Sequence, residues 1–227
     1  MSFGRRQPRP QRASAMPAPP QSAAAPGGNL QHCANAATDI VTMLLAAYTS
    51  QHRLQPESAI VAAAALTGEF ALRSTGLPMP EKGVVPGNAT NDVLFAGASE
   101  GRATAWMFIM HAAMEAGVAV HDLPRIEALA AAFAQASDEM LPLSVQEKYG
   151  PRESPQNIGP RFRHRVIAIA DAHDLTLREV TVALGAATGQ LIIRIQHDFS
   201  PQIAATLAAE IMLATARMAP LAEPVTA

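Results

Sequence analysis

The stretch that decides the fold is His52-Arg53-Leu54-Gln55-Pro56-Glu57-Ser58-Ala59-Ile60-Val61-Ala62-Ala63-Ala64-Ala65-Leu66-Thr67-Gly68-Glu69-Phe70-Ala71-Leu72-Arg73. It recurs, degraded, over residues 173–194 at a constant offset of 121. Eight pairs are identical: His52/His173, Leu54/Leu175, Val61/Val182, Ala62/Ala183, Ala65/Ala186, Thr67/Thr188, Gly68/Gly189 and Arg73/Arg194. Self-similarity of this kind marks a repeated structural unit. The helix-start signals agree with it. Pro56 suits the first position of a helix. In the second stretch Thr176 and Glu179 form a T-x-x-E capping box, and Thr176 aligns with Gln55, just before Pro56. Two chemically different start signals therefore fall at one repeat position. The expected fold is all-α: a single helical domain of about seven helices built on an internal duplication, with copy 1 at about 38–117 and copy 2 at about 160–220.

Working outward, Ile40, Met43, Leu44 and Ala47 recur at helical spacing and predict a first helix from about Ala36 to Arg53. The second spans Pro56 to Ser74, with Gly76 as its stop. Residues 77–90 are irregular, a short turn follows near Asp92–Ala96, and Glu100–Ala116 reads as helix with Gly117 past its end. A helix from Pro124 to Met140 and a Pro/Gly-rich connector lead into helices at 161–171, 177–196 and 201–218. No sheet is expected.

The shared helices carry matching stripes: Val61, Ala65, Gly68 and Leu72 in one, Val182, Ala186, Gly189 and Ile193 in the other. A mid-helix glycine costs about 1 kcal/mol relative to alanine. Its presence in both copies points to close backbone approach, because glycine lacks a Cβ. The expectation is that helix 56–74 crosses helix 177–196 with Gly68 against Gly189, about a pseudo-twofold axis.

Composition sets the remaining bounds. A chain of 227 residues can bury a core without metal or disulfide staples. Its one cysteine, Cys33, cannot form an intramolecular disulfide, which suits a reducing cytoplasm. No apolar run is long enough to span a bilayer. Arg5, Arg6, Arg9 and Arg12 give residues 1–28 a charge of +4 against −6 for the remainder. Six prolines in those 28 residues predict a disordered Arg/Pro/Ala-rich tail preceding an all-α duplicated domain at 29–227. Such a tail could contact nucleic acid.

Few residues group as catalysts would. His111, His121, Asp122 and Asp138 supply the pieces of a His-Asp metal site, similar to metal-dependent phosphohydrolases, although Asp122 also stands where helix caps are common. Cys33 beside His32 is a conceivable nucleophile pair. No phosphate loop and no G-x-S-x-G turn occurs. Leu175–Ile195 resembles the helix-turn-helix of bacterial regulators. Val180, Leu184, Gly185 and Leu191 fit that pattern. Thr181 stands where a small residue is usual, and Ile192-Ile193 fill positions that a recognition helix exposes.

The leading functional reading is a non-enzymatic helical binding or assembly protein, self-associating and without cofactor. A DNA-binding regulator using helix 177–196 and the basic tail is second, and a metal-dependent hydrolase third. The irregular stretch 77–90 breaks the symmetry of the copies, and loops of that length in compact domains are usually functional. Glu81, Lys82, Asn88 and Asn91, with the basic cluster Arg161, Arg163 and Arg165, are the candidate partner surface.

Overall fold

The computed structural model describes residues 26–78, 87–95, 103–135 and 143–221. They form a mostly helical single domain. Its helices are α1 (Pro26–Ala47), α2 (Pro56–Ser74), α3 (Asn91–Leu94), α4 (Ala105–Glu115), α5 (Ile126–Gln135), α6 (Ile158–Ala172), α7 (Leu177–Ile195) and α8 (Pro201–Thr215). That is eight rather than seven among the described residues, the extra one being the four-residue α3. None is long and apolar enough to cross a membrane.

α2 and α7 form the centre. α2 packs against α7 and α8, while α7 also carries α1 and α4 on its flanks. Every residue of α2 from Ser58 to Leu72 is buried, as is every residue of α7 from Val180 to Gly189. A helix apolar all round belongs inside a protein, which is why neither segment shows a clean amphipathic pattern. Thr67 and Thr188, the only hydroxyls shared by the two stretches, are fully buried. Each donates to the carbonyl four residues back, Thr67 to Ala63 and Thr188 to Leu184, so neither leaves a polar atom unsatisfied.

α2 and α7 lie side by side, but their glycines do not meet. A Cβ on Gly68 would come within 2.2 Å of Met212 O and 2.7 Å of Ala216 N, in α8. A Cβ on Gly189 would come within 2.8 Å of Phe108 O, in α4. Each glycine thus admits a third helix, and the expected Gly68–Gly189 crossing is corrected. Gly185 does the same work for the start of α4, where a Cβ would lie 2.4 Å from Ala105 Cα. α7 runs unbroken through Gly185, so the glycine that suggested a helix-turn-helix turn is a packing notch in a continuous helix.

Two boundaries moved. α1 begins at Pro26, ten residues before the expected start and just inside the expected tail. Cys33, Ala36, Ala37, Ile40, Val41 and Leu44 are its buried stripe, in the face-repeat spacing of a helix. α1 then stops at Ala47, short of Arg53. Thr49–Ser50 pairs antiparallel with Arg53–Leu54, a minimal sheet where none was expected. Gln51 and His52 turn the corner with φ of 50° and 61°, the left-handed pair that a tight two-residue hairpin requires.

Candidate functional site

An open cleft of about 550 Å³ lies beside the hairpin. One wall is the hairpin and the start of α2, from Ser50 and Gln51 through Arg53 to Glu57. Lys148, Tyr149 and Arg152 of the connector form the second, and Asp198 and Phe199, between α7 and α8, close the third. Local chemistry holds each wall. Arg152 is paired with Glu57 at 2.7 Å, tying the connector to the first turn of α2. Tyr149 packs edge-on against Phe199, with centroids 5.7 Å apart, and Lys148 Nζ lies 4.6 Å above the Tyr149 ring. The connector is further fixed by Tyr48, whose hydroxyl donates to Glu153 at 2.5 Å. Burial first, and that carboxylate second, push the Tyr48 phenol well above its ordinary pKa, so it stays a donor.

The cleft has more cations than anions. Arg53, Lys148 and Arg152 face Glu57 and Asp198, and Glu57 is engaged by Arg152. α2 starts with Pro56, and Gln55 supplies no side-chain cap, so the positive end of the helix adds to the same wall. Arranged this way, the cleft can hold an anion beside the apolar parts of its walls, Leu54, Pro56 and Tyr149.

A second polar cluster is buried instead of open. Glu69 of α2 accepts from Arg163 Nε of α6 at 2.5 Å and from Arg73 Nε at 2.7 Å. Arg163 Nη2 also donates to Leu221 O at 2.8 Å. These contacts join α2, α6 and the segment after α8, and the cluster is structural in geometry.

The sequence-derived candidates scatter. Glu81 and Lys82 lie outside the described residues. Asn88 falls in a short 3-10 turn and Asn91 is exposed at the start of α3. Arg161 and Arg165 are exposed on α6, but Arg163 is 7% exposed and tied to Glu69, so it leaves the candidate partner surface. A helix puts i and i+2 on different faces, which a run of basic residues hides. Val61, Ala65, Val182 and Ala186 are buried.

His121 and Asp122 sit 3.6 Å apart and exposed, while Asp138 is outside the described residues. Among the described residues no three His, Cys, Asp or Glu side chains gather as metal ligands would. Cys33 is buried against α7, and burial, then nearby Glu179, push its thiol up to about 11. It is a thiol at neutral pH rather than a nucleophilic thiolate. α7 is enclosed by α1, α2 and α4 along Val180–Gly189, while Gln190 is part-exposed and Arg194, in its last turn, is exposed.

Sequence reasoning missed the cleft because its walls come from three distant segments. Gln51-His52 lacks the Asn-Gly or Asp-Gly chemistry that announces a two-residue hairpin turn, so that wall gave no local signal either. No family model matches the chain, and neither the curated proteins nor the solved structures contain a match.

Proposed function

We propose that this chain is a non-enzymatic helical binding and assembly protein whose ligand site is the cleft between the hairpin, the connector and the α7–α8 turn. The observation that carries the reading is convergence. Residues near 53, 148 and 198 in sequence meet around one open volume on a rigid, buried pair of helices. That volume falls in the ~300–1,000 Å³ range of small-molecule sites. With its one thiol buried, a reducing cytoplasm is the compartment we assign.

The scaffold itself we read as a duplication. Thr67 and Thr188 make equivalent backbone bonds. Gly68 admits α8, the third helix of the second copy, and Gly189 admits α4, the third helix of the first, so each half lends its third helix to the other. The shared histidines diverge: His52 turns the hairpin, whereas His173 Nε2 lies 2.8 Å from Asp39 of α1.

Native mass spectrometry of the full chain purified from cells tests the binding reading. A bound small-molecule mass is expected on the parent and not on the Arg53→Glu/Lys148→Glu variant. No bound mass on a folded parent, or one that persists in the variant, would overturn it.

Self-association is favoured by a separate observation. α4 turns Met107 and Met114 to solvent, each at least 40% exposed, on the face opposite its buried residues Ile109 and Ala113. Adaptable methionine faces suit protein partners. Met107→Lys with Met114→Lys should leave a monomer by light scattering where the parent is larger. A monomeric parent would end this second reading.

A further inference from the structure

We infer that the cleft is a phosphate-binding site, and that its ligand is a small phosphorylated molecule whose body rests on Leu54, Pro56 and Tyr149. The inference rests on the binding reading above and adds the chemical class. Arg152 and Glu57 neutralise one another at 2.7 Å. The charges left to meet a ligand are Arg53 and Lys148, opposed by Asp198 alone. Neither cation has a carboxylate partner among the described residues; the contact of Lys148 is with the Tyr149 ring. The two come from segments far apart in sequence, so their convergence is a property of the fold rather than of a local charge run. A guanidinium fork and an ammonium are the usual complement of a phosphoryl group, the first bidentate and the second a point charge. The positive end of α2 reinforces the same sign. The cleft's 550 Å³ far exceeds one tetrahedral anion, and the apolar parts of its walls then account for the rest of the ligand.

Lys148 Nζ lies over the Tyr149 ring, so the ammonium and the aromatic face stand side by side in the cleft lining. Tyr149 is held edge-on by buried Phe199.

The test is calorimetric titration of the full chain with inorganic phosphate, phenyl phosphate and benzoate. Phenyl phosphate should bind about tenfold more tightly than inorganic phosphate, because the ring adds apolar burial, and benzoate should bind more weakly than phenyl phosphate. Arg53→Gln with Lys148→Gln should weaken phenyl phosphate about tenfold or more without moving the ligand-free thermal midpoint. Asp198→Asn should tighten it about threefold by removing a like charge. Benzoate binding as tightly as phenyl phosphate, unchanged affinity in the double variant, or no heat with either phosphate would overturn the inference. A native ligand mass retained beside silent phosphate titrations would discard the chemical class and keep the binding reading.

Discussion

Arg163 Nε donates to Glu69 Oε1 across 2.5 Å, with both side chains 8% exposed, and this pair joins α6 to the central helix α2. Its two ends are not equivalent. Glu69 keeps Arg73 when Arg163 is lost, whereas losing Glu69 takes from the buried Arg163 guanidinium the carboxylate at its Nε, leaving its Nη2 on the Leu221 carbonyl. Removing one partner of a buried pair costs roughly 3–5 kcal/mol. Glu69→Leu should therefore lie at the high end of that range and Arg163→Met at the low end, by urea unfolding. Equal losses would mean that Arg73 gives Glu69 no compensation.

Gly159 makes room for the pair. A Cβ there would lie within 1.9 Å of Glu69 Oε2 and 3.2 Å of Arg163 Nη2. Gly159→Ala should cost about 1–3 kcal/mol through overpacking, even though alanine is the better helix former. The cost should largely vanish in a Glu69→Leu background, where the clashing oxygen is gone. A full cost in both backgrounds would assign it to the backbone instead.

The two shared glycines should respond unequally to one methyl. Gly68 meets the Thr215 hydroxyl and also backbone at 2.2 and 2.7 Å, which cannot swing aside, while Gly189 meets Phe108 O at 2.8 Å and the Ala112 Cβ at 3.0 Å. Gly68→Ala should destabilise by roughly 2–3 kcal/mol and Gly189→Ala by about 1 kcal/mol. Thermal melts of both variants check the order, and a reversed order would misplace α8.

These positions also show what could be read in advance. Pro56 and the Thr176–Glu179 box set the starts of α2 and α7 to the residue, because helix starts are local chemistry. Gly68 and Gly189 announced close approach but not the partner. Glycine reports missing volume, and α8 and α4 are distant in sequence. Gly27-Gly28 read as the end of a tail, yet both lie in α1, whose buried stripe begins at Cys33. Tertiary burial against α7 overrode their poor helix propensity. The cleft was the least legible feature, since no single segment carries more than one of its walls.

The start of α7 should show acid sensitivity. Burial tends to raise the Glu179 pKa, but the Thr176 N–H and hydroxyl, the Asn29 amide and nearby His32 outweigh it and hold the carboxyl below its ordinary value. A lowered folded pKa stabilises above the unfolded value, and that contribution is lost as pH falls through the folded one. Thr176→Ala should cost about 1 kcal/mol at neutral pH. The difference from the parent should shrink as Glu179 protonates. A pH-independent cost would mean the hydroxyl alone does the capping.

Glu210 should show the opposite slope. It is 5% exposed on α8, and burial raises its pKa against the two bonds it accepts from Ser144 N–H at 3.1 and 3.2 Å. A carboxyl whose folded pKa is raised favours the fold below its unfolded value, and that contribution is lost as pH rises through the folded one. Glu210→Gln removes the ionisation and keeps an oxygen for Ser144. The variant should therefore gain thermal midpoint over the parent above the ordinary carboxylate range, with the two converging in acid. A variant less stable than the parent at neutral pH would mean that the charged form, held by the Ser144 amide, outweighs its own desolvation.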